Sequence, residues 1–508
     1  MGGTSNPTHG TGECHTRAVA IDEVVPVVFV PGIMGSILWR LNPAGNPVEE
    51  VWNPDRVSVM GPFALPWNGA SWKKQRLITS LGVPVPDFVG TAHRGWANVI
   101  DRSYGPIRMF LENELLTPDP SAEGSGALAS VFRLPVYAFG YDWTDDCSRN
   151  GERLARTINQ ILAHEQEALD ASASPHAFCE RVLLLTHSMG GLVTRSACIE
   201  HGAGTNVLGV VHGVQPTTGS GAAYWRMKAG FPRNGLASYP TAWALGANGE
   251  EVTAVMGNMP GALQLLPSTD YTDNTGRSDW LQTGSSAGPQ PRSGDPYDDI
   301  YLNENDYWRL ITKSYLTPED PTETAARRAW AEYAGMVGSA RAFHQRRVPH
   351  DRQHDPSYHF FGSSDLHPTA DAIRYAVTRT VAAPSDADDR FVERVGRGLQ
   401  RSAQRVGRSA REATMRTRHG GWVTHYHDAA GAEYRATLQD ADGCGDGTVP
   451  VSSGSALQEA PGTRHSRDFP RIEHEAAYKD ASVQHYVRGC FQELLVEHLQ
   501  RRIDALSE

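Results

Sequence analysis

The chain has 508 residues, of which 40% are apolar and 21% charged, and a formal net charge of −11. That length predicts a large core carrying insertions, and the composition is that of a globular protein. The acidic balance excludes broad nucleic-acid binding, which needs clustered Lys and Arg against phosphates.

The polar stretch 1–23 reads as a tail. It lacks a basic start followed by an apolar run, so no secretory signal is expected there. Residues 24–31 (VVPVVFVP) predict a buried strand that ends in a Pro-Gly turn, broken too often by proline and glycine to span a membrane. The expected location is therefore cytoplasmic, or outside the cell by a signal-independent route. Further strands are predicted at 134–139, 181–186, 207–214 and 357–362, with helices over 150–171 and 190–200. Strands alternating with helices imply a doubly wound, mostly parallel α/β sheet. Residues 215–355 show no steady period and read as a cap or lid insertion. Residues 421–437 predict a hairpin around an Ala-Ala-Gly turn. From about Ala476, apolar positions at Val483, Val487, Phe491, Leu494, Leu495 and Leu499 predict a final amphipathic helix. The expected organisation is a first core part over 24–214, the cap over 215–355, and a second core part over 356–508.

The strongest chemical signal is Leu183-Leu184-Leu185-Thr186-His187-Ser188-Met189-Gly190-Gly191. A strand stops, a serine follows, and a helix begins at once. Such an elbow exposes the serine oxygen above the sheet, with small neighbours letting strand and helix pass closely. Gly190 meets that need, whereas Thr186 stands where glycine is usual. A serine that merely caps a helix is the bland alternative.

A serine nucleophile needs N–H donors for the oxyanion. The residue after it, Met189, supplies one in this geometry, and the loop Pro31-Gly32-Ile33-Met34-Gly35 offers Ile33 as the other. In this fold the orienting acid and then the base follow the serine in the chain. Asp446 lies on the turn Gly445-Asp446-Gly447, and His474 follows it just before the last helix. The rivals are Asp442 for the acid, and His485 and His187 for the base. His485 falls inside the final helix, and strand alternation turns His187 away from Ser188.

Together these segments resemble the lecithin:cholesterol acyltransferase-like and GPI-deacylase-like esterase/lipase group of the α/β-hydrolase superfamily. The matching pieces are VPGIMGS (30–36), YDW (141–143), HSMGGLV (187–193), QPTTGSG (215–221), LQLLP (263–267), GDGTVP (445–450) and HEAAY (474–478), in that family's order. The resemblance implies a triad of Ser188, Asp446 and His474 with Ile33 and Met189 as oxyanion donors. It also implies a lipid-contacting subdomain after the oxyanion loop, within 39–110. There Trp39, Trp52, Trp67 and Trp72 and the run 60–66 suit a wet-dry boundary, or else pack inward. The chain departs from the family at Thr186, at Thr144 after YDW, and in lacking the lid cysteine pair.

Three further features bear on partners. Nine arginines crowd residues 384–418, where Arg394-Val395-Gly396-Arg397 recurs as Arg405-Val406-Gly407-Arg408. This predicts a basic helix that could dock on an anionic membrane, with 39–75 as a second contact, or on a partner protein. The six cysteines (Cys14, Cys147, Cys179, Cys198, Cys444, Cys490) are scattered, which favours free thiols and gives no structural metal site. No cofactor motif appears, and Asp270, Asp273 and Asp279 are acids that could hold calcium or simply lie on the surface. The leading expectation is hydrolysis of a carboxylic ester of a phospholipid or acylglycerol. The alternatives are a lipid acyltransferase with the same triad, an exported bacterial lipase toxin, and a catalytically weak binding protein.

Overall fold

A computed structural model describes residues 22–65, 67–84, 94–118, 124–172, 177–231, 245–246, 248–380, 414–416, 422–427 and 432–507. The central sheet has six parallel strands: β1 (Val27–Val30), β2 (Val136–Ala138), β3 (Val182–His187), β4 (Val207–Gly213), β5 (Ser357–Gly362) and β6 (Thr463–Phe469). Their spatial order is β6-β5-β4-β3-β1-β2. The helices used below are α1 (Ala70–Leu77), α2 (Asp101–Glu114), α3 (Cys147–Ala171), α4 (Met189–Ile199), α5 (Gly221–Ala229), α6 (Gly249–Met256), α7 (Glu323–Ala342) and α8 (Ala481–Ser507).

Why these strands are almost wholly apolar follows from their two covered faces. Val28, Val30, Tyr137, Val182, Leu184 and Val210 pack on one side with Leu154, Ile158 and Ile161 of α3 and Leu192 and Val193 of α4. The alternate residues Val27, Phe29, Leu183, Leu185, Val211 and Phe360 pack on the other side with Ile107 and Phe110 of α2 and Phe491 and Leu494 of α8. Each such side chain removed from water contributes roughly 1.5–3 kcal/mol.

Strand order reverses between β1 and β3, the first-placed pair of a 2-1-3-4-5 arrangement. Loops leaving neighbouring strands there diverge to opposite faces and open a crevice at the carboxyl ends. Val30 of β1 pairs with Thr186 of β3, and Gly213 of β4 pairs with His187 and with Phe360 of β5. The loop that follows β1 and Ser188 therefore leave the sheet side by side.

Residues 215–355 are more regular than their sequence suggests. They hold α5, α6 and the 20-residue α7. α7 buries only Ala329, Tyr333, Val337 and Ala340, a stripe too narrow and too rich in alanine to show as a period. Thr322 caps its start by accepting from Ala325 N. Tyr224, Val252, Val255, Leu263, Tyr301 and Tyr333 join the same buried cluster as the sheet, so the insertion shares the core. Lys73 of α1 reaches Glu251 of α6 at 2.6 Å and ties the 39–75 region to it.

A second sheet is built on the predicted hairpin, Trp422–His427 pairing with Glu433–Leu438. The turn between them lies outside the described residues, as does the arginine-rich segment 384–418 apart from Thr414–Arg416. Those three form an edge strand on Trp422–Thr424 and not the end of a helix, because the hairpin offers an open edge there. The final helix begins at Ala481, five residues later than expected, since a tight turn over Ala477–Lys479 intervenes. Among the described residues, Cys147, Cys179, Cys198, Cys444 and Cys490 are free thiols.

Candidate active site

Ser188 follows β3 with φ 53° and ψ −124°, a left-handed backbone that a non-glycine residue adopts only under strain of order 1–3 kcal/mol. Helix α4 starts at the next residue and passes so close to β1 that a β-carbon on Gly190 would stand 2.4 Å from Val30 O. Only glycine fits there. Thr186, the departure from the usual elbow, is fully buried and sits 3.1 Å by Oγ1 from His212 Nδ1 on β4. Its extra atoms are absorbed by a hydrogen bond to the neighbouring strand, so the turn keeps its shape.

His474 Nε2 lies 2.9 Å from Ser188 Oγ, and His474 Nδ1 lies 2.8 Å from Asp446 Oδ2. Asp446 is 1% exposed. Its other oxygen accepts from the N–H groups of Thr448 (2.9 Å) and Val449 (2.7 Å), which fix the carboxylate plane. His474 N also donates to Asp446 O at 2.9 Å, so the two loops are joined at both backbone and side chain. β5 ends against this turn, because a β-carbon on Gly362 would lie 2.7 Å from Asp446 Cβ. The structure thus brings together the serine, the histidine and the aspartate named from sequence.

The rivals fall elsewhere. Asp442 is exposed and pairs with Arg374. His485 faces solvent on α8, its Nδ1 2.6 Å from Ala481 O. His187 is engaged by other partners. Its Nε2 lies 2.8 Å from His474 O and its Nδ1 2.9 Å from the Tyr104 hydroxyl.

The loop after β1 is clamped at several atoms. Tyr104 Oη accepts from Gly32 N (3.1 Å), and Tyr141 Oη donates to Pro31 O (2.9 Å). Trp52 Nε1 donates to Met34 O (2.9 Å) and Trp143 Nε1 to Ser36 O (3.3 Å). Met34 is held at φ 65°. Tyr141 and Trp143 give the YDW segment its task, since both brace this loop. A β-carbon on Gly32 would sit 3.1 Å from Ser188 Cβ, and Ile33 follows it directly. Gly32 N–H donates to Tyr104 and Gly35 N–H to Gly32 O (3.0 Å). Met189 opens α4, where first-turn N–H groups have no helical acceptor. A β-carbon on Gly261 would meet Met189 Cε at 2.7 Å, so the 215–355 segment packs against the residue that follows Ser188.

Two readings left open above turn on where these side chains lie. Trp52 packs inward. It is 1% exposed and packs against Trp143 (5.2 Å) and Phe63 (6.5 Å). Trp39 and Trp72 are half-buried, and only Trp67 is open, at 75%. The candidate calcium acids are engaged: Asp273 accepts from Thr275 N and Arg277 N, Asp279 pairs with Arg277, and Asp270 with His350. No group of metal-binding side chains forms among the described residues. Nor is any helix among them long and apolar enough to cross a membrane.

Against known proteins, the sequence matches no protein-family model and no curated protein. One solved structure, described as the crystal structure of the Tle4-Tli4 complex, is similar over 93% of this chain and 98% of its own, with a TM-score of 0.67 and 23% identity. The chain has the α/β-hydrolase fold. Tyr104 and His187 are what the sequence reading missed. Neither lies in a motif that marks a second link to the base, and only the packing of α2 on the sheet joins them.

Proposed function

We propose that the chain is a serine hydrolase that cleaves carboxylic esters of lipids, phospholipid or acylglycerol. The observation that carries this reading is one imidazole, His474, within hydrogen-bond reach of both Ser188 Oγ (2.9 Å) and Asp446 Oδ2 (2.8 Å). Asp446 keeps the proton on Nδ1, so Nε2 is free to accept one. Ser188 Oγ attacks the ester carbonyl carbon as its proton passes to His474 Nε2. The N–H groups of Ile33 and Met189 hold the oxyanion. Collapse breaks the ester C–O bond, and His474 returns the proton to the departing alcohol. Water then attacks the acyl-Ser188 carbonyl as its proton passes to His474; the acyl C–Oγ bond breaks, His474 returns that proton to Ser188 Oγ, and the acid is released.

The lipid class rests on the ordered motif resemblance and on the surface beside the site. Val57 (82% exposed), Leu65 (37%) and Trp67 (75%) are open, on a segment whose Trp52 braces the oxyanion loop at Met34. An acyltransferase would use the same residues with an alcohol in place of water. A profile of acyl chain length and head group, run on wild type and Ser188→Ala with and without an alcohol acceptor, tests all of this. Retained ester cleavage by Ser188→Ala would end the reading, and acyl transfer to the alcohol would redefine it. A protein partner is the second reading, because the structural neighbour occurs in a two-component complex. Such a partner fits the exported-toxin alternative.

A further inference from the structure

Between the oxyanion loop and the base runs a buried chain of hydrogen bonds whose direction is forced at each link. The carbonyl of His474 can only accept, so His187 Nε2 must carry a proton and donate to it at 2.8 Å. A neutral imidazole then has its lone pair on Nδ1, which must accept from the Tyr104 hydroxyl at 2.9 Å. That hydroxyl has given its only proton, so its oxygen is left to accept from Gly32 N–H at 3.1 Å. Burial pushes the His187 pKa down to about 3, which keeps the ring in this single state.

Geometry around the chain is tight. A β-carbon on Gly32 would stand 2.7 Å from His187 Nδ1, and the rings of His187 and His474 lie 5.1 Å apart. Tyr104 is 4% exposed and His187 is 4% exposed, so water does not compete for these bonds. Tyr478, four residues past the base, donates from its hydroxyl to Thr186 O at 2.6 Å and so fixes the strand from which His187 springs.

We infer that Tyr104 and His187 are positioning residues for the reaction. They hold the oxyanion loop, at Gly32, and the base, at the His474 backbone, to the strand that carries Ser188. The two halves of the site come from chain positions far apart, and among the described residues the side-chain hydrogen bonds of Ser188, Asp446 and His474 run to one another and to the N–H groups of Thr448 and Val449, and not to the loop after β1. The Tyr104-His187 chain supplies that link. It sets the distance between the oxyanion donors and the base, on which transition-state stabilisation depends steeply. This inference rests on the triad reading above.

The test uses Tyr104→Phe, His187→Gln and the double variant of the full chain, with p-nitrophenyl butyrate as probe. Rates are taken per active site titrated with a fluorophosphonate, so that misfolded molecules do not count. The expected result is kcat lower by roughly ten- to a hundredfold in each single variant, with KM within about twofold, as for a misplacement of the reacting groups. The double variant should be no slower than the worse single, because both cut one chain. Wild-type kcat per titrated site in Tyr104→Phe, or losses that multiply in the double variant, would overturn the inference. If Ser188→Ala still cleaved the probe, the triad reading would fail first. If Ser188→Ala is dead and Tyr104→Phe is as fast as wild type, only the positioning role fails.

Discussion

On the proposed mechanism, Asp446→Asn isolates the orienting role of the carboxylate with almost no change of volume. Asp446 Oδ1 accepts from Thr448 N and Val449 N, and Oδ2 from His474 Nδ1. An asparagine can place its amide nitrogen at one of these positions. At the Oδ1 position it would confront two N–H donors; at the Oδ2 position it confronts one. The second arrangement wins, and His474 must then present a bare Nδ1 and carry its proton on Nε2. That tautomer cannot accept the Ser188 proton. Losing the base in this way costs about ten-thousandfold in kcat, or about 5 kcal/mol at ~1.36 kcal/mol per factor of ten. The two N–H bonds survive, so the fold should hold. The assay is kcat for p-nitrophenyl butyrate per mole of folded protein, with the melting temperature as control. Asp442→Asn serves as the comparison, since Asp442 only pairs with an exposed arginine, and it should stay within about twofold. A fall of less than tenfold in Asp446→Asn at unchanged melting temperature would refute the argument that this carboxylate sets the tautomer.

Three other outcomes are expected. Gly190→Ala should destabilise the protein by about 1–3 kcal/mol in urea unfolding and lower activity with it, because its β-carbon meets Val30 O and Pro31 O at 2.4 and 2.5 Å; an unchanged midpoint would show that β1 and α4 can move apart freely. Burial holds His187 and His359 to a pKa of about 3 and His344 to about 4. Their folded values lie below the ordinary 6.5, so the stability tied to keeping them neutral is whole above pH 6.5 and is lost as pH falls toward the folded values. Each imidazole then removes up to about 1.4 kcal/mol per pH unit, and urea midpoints should drop steeply between pH 6.5 and 5. A flat profile there would mean that these rings titrate normally. Trp67→Ala should leave turnover of a soluble short-chain ester unchanged and weaken activity on phospholipid vesicles, since Trp67 is 75% exposed; equal activity on both substrates would remove the surface from the lipid reading.

Local sequence determined much of this protein. The runs of β-branched and aliphatic residues at 27–30, 182–187 and 207–213 can be buried on both faces only as parallel inner strands. Ser188 between such a strand and a glycine-rich helix start marks the elbow, and the Ser-Asp-His order points to Asp446 and His474. These features are legible because each is set by neighbours within a few residues. What only the tertiary structure decided depends on contacts between distant segments. Trp52 reads like Trp67 in sequence, yet one packs on Trp143 while the other lies open, because only Trp52 falls where Met34 O needs a donor. Thr186 looks like a flaw until His212 is found beside its hydroxyl. α7 hides in an alanine-rich stretch because its partners are the tyrosines of the cap. His187 is a strand residue turned from the nucleophile in any local reading. Its position between Tyr104 and the backbone of His474 exists only once α2 and the last loop close over the same end of the sheet.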